Sequence, residues 1–265
     1  MHINEISSSV KMTGNSTFTA EVGDDWTQGR TLFGGLQAML ALEAMLLLLP
    51  DAPALWSLQT TFIAPVPPGT VHGEVKILRS GRSATQMEAR LMVNGESACI
   101  VVAIFGASRT SAVKINPPQV APPSQDINSS AELPFVPNIT PNFTQHYSYH
   151  WAVGGLPFSG STSSETRIHV RQRDAAMLSA LHVVALGDAI PSPALSLLDQ
   201  PAPASSLSWS FEFVRHLPPV ASTEWWRIDA RIIAAQDGYA SQDAGLYGPD
   251  GGLVALSRQV VALFG

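Results

Sequence analysis

Gly34-Gly35 followed by LQAMLALEAMLLLL at residues 36–49 is the stretch on which the fold turns. Gln37 and Glu43 are the polar side chains in that run, and they leave no polar stripe. A helix that is apolar all round is buried on every side, which predicts a central helix rather than a surface one. Its most apolar part, residues 38–49, is broken by Glu43 and is too short to span a bilayer. Ahead of it, residues 17–22 alternate as a strand. Behind it, residues 71–79 place Val71, Val75 and Ile77 on one face and His72, Glu74 and Lys76 on the other. Residues 84–93 repeat that alternation, and Asn94-Gly95 is a two-residue hairpin signal. Residues 99–105 are continuously apolar, as a strand at a sheet centre would be. One buried helix inside a set of antiparallel strands accounts for this pattern.

The same order recurs further along. Residues 115–141, rich in Pro, Ser and Asn, read as a linker between domains at 1–114 and 142–265. In the second half, residues 164–170 read as a strand and 175–187 as a helix with Asp174 as its N-cap. Trp226, Ile228, Ala230 and Ile232 alternate with Arg227, Asp229 and Arg231. Pro249-Asp250-Gly251-Gly252 marks a turn before a last strand at 253–264. Short strings also match in order. Residues 57–62 lie opposite 206–211, Ala84-Thr85-Gln86 opposite Ala240-Ser241-Gln242, and 101–105 opposite 260–264.

Composition narrows the function. The chain has 265 residues, 45% apolar and 14% charged, enough for two fused cores. A net charge of −6 with 15 dispersed basic residues argues against nucleic-acid binding, which needs concentrated positive charge. Cys99 is the one cysteine, so neither an internal disulfide nor a thiolate metal cluster can form. No basic, apolar leader opens the chain, so no signal peptide, no membrane association and a cytoplasmic location are expected. His150, His169, His182 and His216 show no metal-ligand spacing, and His182, inside an apolar helix, reads as a satisfied core histidine.

The order strand, buried helix, several strands, made twice, resembles an α+β double hotdog, and in particular the acyl-CoA thioesterase II family. The resemblance rests on residues 26–35 (WTQGRTLFGG) running into the helix and 61–68 (TFIAPVPP). In the second half it rests on Gly187-Asp188-Ala189-Ile190-Pro191, residues 206–213 and residues 255–259. It implies a thioester hydrolase that cleaves a fatty or related acyl-CoA to free acid and CoA by direct water attack. It also implies a homodimer, with no metal or resident cofactor. In that family a carboxylate, a hydroxyl and a glutamine of the second hotdog hold the water. By position these are Asp188, Ser206 and Gln259, with Ser206 where threonine is usual.

Each residue also has a structural reading. Asp188 before Ala-Ile-Pro suits an Asx turn. Gln259 on an apolar strand face wants hydrogen bonds whatever its function, and Ser206 lies in a cluster of strand-edge serines. Gly34 and Gly35 suit either a tight turn or a helix N-terminus whose N–H groups donate to a thioester oxygen. Arg79 and Arg82 fit CoA phosphates or a solvated hairpin. Two rival functions stand beside hydrolysis. One is non-catalytic acyl binding; the other is an enoyl-CoA hydratase or dehydratase, although the sequence has Ser192-Pro193-Ala194 where a hydratase motif needs histidine.

Overall fold

A computed structural model describes residues 1–127, 130–174 and 177–264. The first half begins with helix α1 (Ile3–Ser9) and strands β1 (Lys11–Met12) and β2 (Thr17–Val22). A short pair, β3 (Thr27–Gln28) and β4 (Thr31–Leu32), leads into helix α2 (Gly34–Leu48). Strands β5 (Ala54–Phe62), β6 (Gly69–Ser80), β7 (Ala84–Val93) and β8 (Glu96–Gly106) complete it.

The second half runs through α3 (Pro123–Asp126), β9 (Ala131–Leu133), β10 (Tyr147–Val153) and β11 (Glu165–Gln172). Then come β12 (Met177–Leu178), α4 (Ala180–Gly187), α5 (Ala194–Leu197), β13 (Ala204–Phe213) and β14 (Val220–Ala221). Strands β15 (Trp226–Gln236), β16 (Tyr239–Tyr247) and β17 (Leu253–Leu263) end the chain. Among the described residues, thirteen strands form one sheet in the order β1-β2-β6-β7-β8-β5-β13-β17-β16-β15-β11-β10-β9, antiparallel throughout. The halves join where β5 pairs with β13, and α2 packs directly on α4 inside the sheet. Among the described residues no helix is long and apolar enough to cross a membrane.

Local chemistry explains the elements. In α2, ten consecutive or near-consecutive residues from Gly35 to Met45 are buried, as the unbroken apolar run demands. The helix starts two residues before the expected Leu36, so the glycines form its first turn. The β7–β8 and β15–β16 hairpins turn on Asn94-Gly95 (φ 53° and 82°) and Asp237-Gly238 (φ 54° and 80°), the left-handed pair of a type I′ turn.

Two expectations are corrected. The second-half helix starts at Ala180, not at 175. Met177 and Leu178 pair with Val220 and Ala221 instead, while 175–176 lie outside the described residues. Ser179 caps the helix: its N–H donates to His182 Nδ1 at 3.1 Å, within a capping box. Asp174 instead accepts from the Ile3 N–H at 3.4 Å. Ser179→Ala is therefore expected to lower unfolding stability by about 1 kcal/mol, read as a lower urea midpoint.

The second correction concerns the repeat. Strand pairings skip one residue at Trp56 and at Leu207, and again at Leu78 and at Ile233. These bulges mark equivalent points in the two halves. By that register Ala84 answers Tyr239, one residue away from the string match. Accordingly Ala84 and Gln86 are exposed whereas Ala240 and Gln242 are buried. A one-residue slip in a strand reverses every side chain. Finally, part of the segment expected as linker is structured: Val120 N–H donates to Gly251 O at 2.8 Å, and β9 extends the sheet on β10. Residues 128–129 of that segment lie outside the described residues.

Candidate functional site

Helix α4 stops at Gly187, where a Cβ would lie 2.4 Å from the Phe211 ring, and Asp188 becomes its C-cap. The chain beyond is pinned by Tyr149, whose hydroxyl donates to the Ala189 carbonyl at 2.9 Å. Because α4 packs on α2, this C-terminus meets the first turn of α2. A Cβ on Gly34 would fall 2.7 Å from Asp188 Oδ2, and one on Gly35 would fall 2.5 Å from the Ala185 carbonyl. The Gly35 N–H donates to the Asp188 carboxylate. Glycine is needed here for close approach.

From the sheet side, Gln259 Nε2 donates to Asp188 Oδ1 at 2.5 Å. Gln259 Oε1 accepts from Gln242 Nε2 at 3.3 Å and from Ser206 Oγ at 3.4 Å. Gln242 Oε1 in turn accepts from Ser192 Oγ at 2.5 Å. The Ser192–Gln242–Gln259–Asp188 relay has one direction, so each amide's orientation is set by its neighbour. Gln242 and Gln259 are buried, while Asp188, Ser206, Gly34 and Phe62 are half-buried.

Burial pushes the Asp188 carboxyl from an ordinary 3.8 up to about 7, against the pull of the hydrogen bonds from Gln259 and Gly35. A carboxylate poised near neutrality, held by an amide and facing a helix N-terminus, can take a proton from water at neutral pH.

The structure thus brings together Asp188, Gln259, Ser206, Gly34 and Gly35. It does not bring Arg79 and Arg82 to them. Both stand exposed at the β6–β7 hairpin. Arg79 pairs with Gln86, Gln86 with Ile104, and Ile104 with Ser57, five residues along β5 from Phe62. That is roughly 17 Å along the strand. His182 is satisfied as expected: its Nε2 lies 2.8 Å from Asn4 Oδ1. Among the described residues, no three His, Cys, Asp or Glu side chains group as metal ligands.

Sequence reasoning missed Gln242, Ser192 and Tyr149. Gln242 could have been found, since it sits between Ala240, Ala244 and Leu246 as a polar amide on an inward face. That is the same signal that singled out Gln259.

Two family models cover most of the chain. That of the acyl-CoA thioesterase N-terminal domain matches residues 22–106, and that of the C-terminal domain matches 118–263. No curated protein matches. Among solved structures, a hotdog-fold protein of unknown function from Alicyclobacillus acidocaldarius is 21% identical, with a TM-score of 0.84 over 99% of this chain and 98% of that one. The acyl-CoA thioesterase II TesB2 of Mycobacterium marinum is 18% identical, with a TM-score of 0.75 over 98% and 97%. The dehydratase domain of PpsC from Mycobacterium tuberculosis, in complex with C12:1-CoA, is 14% identical, with a TM-score of 0.56 over 94% and 93%. At these identities the structures establish the double hotdog fold alone.

Proposed function

The chain belongs to the acyl-CoA thioesterase family, and on that premise we propose that it hydrolyses an acyl-CoA thioester to the free acid and CoA by direct attack of water. The observation that carries the reading is the Asp188 carboxylate, raised to about 7 and held between Gln259 Nε2 and the Gly35 N–H. Asp188 takes the water's proton as general base while Gln259 and Ser206 orient the water. The water oxygen bonds to the thioester carbon, and the first turn of α2 stabilises the oxyanion. When that intermediate collapses the C–S bond breaks, and the proton on Asp188 passes to the departing sulfur. No acyl-enzyme forms.

The reading takes the protein as a cytoplasmic homodimer acting on a small-molecule acyl-CoA, with no resident cofactor; a solution mass of about twice 28.2 kDa would support the dimer. Its activity is tested by following thiol release from acyl-CoAs between acetyl and palmitoyl. Turnover of none of them would leave acyl binding without catalysis.

Gln259→Leu removes the amide that bonds Asp188. Its kcat is expected to fall about 10²-fold, the cost of a base and water displaced by about 1 Å. Ser206 Oγ reaches Gln259 over a longer 3.4 Å. Ser206→Ala should therefore cost less than about tenfold, and Ser206→Thr should keep wild-type turnover. A larger loss in Ser206→Ala than in Gln259→Leu would make the hydroxyl, not the amide, the group that places water.

A further inference from the structure

Phe62 ends β5 on the inward face of the strand, which it shares with Thr60 and Leu58. Its backbone is fixed. Phe62 pairs with Cys99, and the N–H groups of Ile63 and Ala64 both donate to the Ala98 carbonyl, at 2.8 and 3.0 Å. Pro65 and the buried Val66 follow, with the Val66 N–H donating to Thr31 Oγ1 at 3.0 Å. The half-buried ring lies beside the first turn of α2. A Cβ on Gly34 would fall 2.9 Å from Phe62 Cζ and 3.2 Å from Cε1, and the same point is 2.7 Å from Asp188 Oδ2. Ring edge and carboxylate oxygen thus border one notch, which a side chain at residue 34 would fill. Asp188 Oδ1 is engaged by Gln259 Nε2, and Oδ2 is the oxygen on the side of the notch.

Water held by Asp188 attacks a carbon about 3–3.5 Å away, which brings the first carbons of an acyl chain within reach of that ring. The CoA end of the substrate is charged and keeps to solvent. The acyl end is apolar, and Phe62 offers it an apolar wall at the carboxylate. Behind the ring there is no further depth. Thr60 is 2% exposed and Leu58 0%, and their partners on β13, Trp209 and Phe211, are 1% and 0%. Phe211 also abuts Gly187 at the end of α4. No water-sized gap touches these four side chains, so a chain directed inward along β5 stops at Phe62.

We propose that Phe62 closes the acyl end of the site and so selects short acyl groups, from acetyl to butyryl, over medium and long ones. The inference rests on the thioesterase reading of Asp188 and deepens it by naming the substrate class. The test is kcat/KM for acetyl-, butyryl- and octanoyl-CoA, followed by thiol release, in wild type, Phe62→Ala and Phe62→Trp. In the wild type butyryl-CoA should lead octanoyl-CoA by at least about tenfold, the discrimination a pocket exerts against one methylene too many. Phe62→Ala should move that ratio toward octanoyl-CoA by about tenfold or more. Phe62→Trp, which enlarges the ring, should move the acetyl-to-butyryl ratio toward acetyl. A damaged fold would lower every rate together and leave both ratios as they were, so opposite shifts in the two variants belong to the ring itself. A wild type that prefers octanoyl-CoA, or ratios that neither substitution moves, would overturn the selector while keeping hydrolysis. No turnover of any acyl-CoA by the wild type would overturn the thioesterase reading and the selector with it.

Discussion

If the proposed hydrolysis holds, Asp188→Asn is expected to lower it by about 10²–10⁴-fold, the range for a lost general base, while the protein stays folded. Asparagine keeps the shape and a partner for Gln259 Nε2 but cannot accept a proton. The wild-type profile carries a second signature. A base must be ionised, so with the carboxyl raised to about 7 by burial, kcat/KM should climb as pH rises through about 7 and then level off. Stability should run the opposite way. An acid whose pKa is higher folded than unfolded binds more protons in the native state. Its favourable contribution is therefore present at low pH and is lost as pH rises from 3.8 to about 7. Asp188→Asn removes that slope, so at pH 8 the variant should be at least as stable as the wild type. Activity within a few-fold of wild type in a folded Asp188→Asn protein would move the base elsewhere.

That site was only partly legible beforehand, for physical reasons. The elements were readable because burial writes itself into local pattern: the stripe-free run of α2, the alternation of β6 and β7, and the left-handed Asn94-Gly95 pair. Asp188 was not readable from its own surroundings, where an Asx turn fits as well; it came from family resemblance. Burial raises its pKa, and it is closed in by Gly34 and Gly35, more than 150 residues away in sequence; no window of the chain contains that contact. The repeat shows the same limit. Strings such as Ala84-Thr85-Gln86 and Ala240-Ser241-Gln242 match by letter yet face opposite sides, because strand identity is set by register and bulges. Helix α4 began late because Asp174 and Ser179 are both able caps, and the pairing of Leu178 with Val220 decides between them. Arg79 and Arg82 stand out in the sequence as cations flanking Ser80-Gly81. Charge says nothing about which end of a strand a residue occupies.

Gly35→Ala should cost both stability and rate. Gly35 lies in an ordinary helical turn, and on propensity alone alanine would favour α2 by about 1 kcal/mol. Its surroundings decide otherwise. The new Cβ would stand 2.5 Å from the Ala185 carbonyl, 2.6 Å from Phe33 Cζ and 3.0 Å from Asp188 Cβ. The first is backbone of α4, and Phe33 is fully buried and stacked on Phe143 at 4.1 Å, so neither can swing aside. The helices must part, at a cost of about 1–3 kcal/mol for overpacking. Parting them draws Asp188 away from the Gly35 N–H and from Gln259 together. A misplacement of about 1 Å is enough to cost about 10²-fold in rate. The urea midpoint and kcat/KM should therefore fall together in Gly35→Ala, whereas Asp188→Asn loses rate without stability. If Gly35→Ala keeps wild-type hydrolysis, the close contact of α2 with α4 is a packing feature and the oxyanion must be stabilised elsewhere.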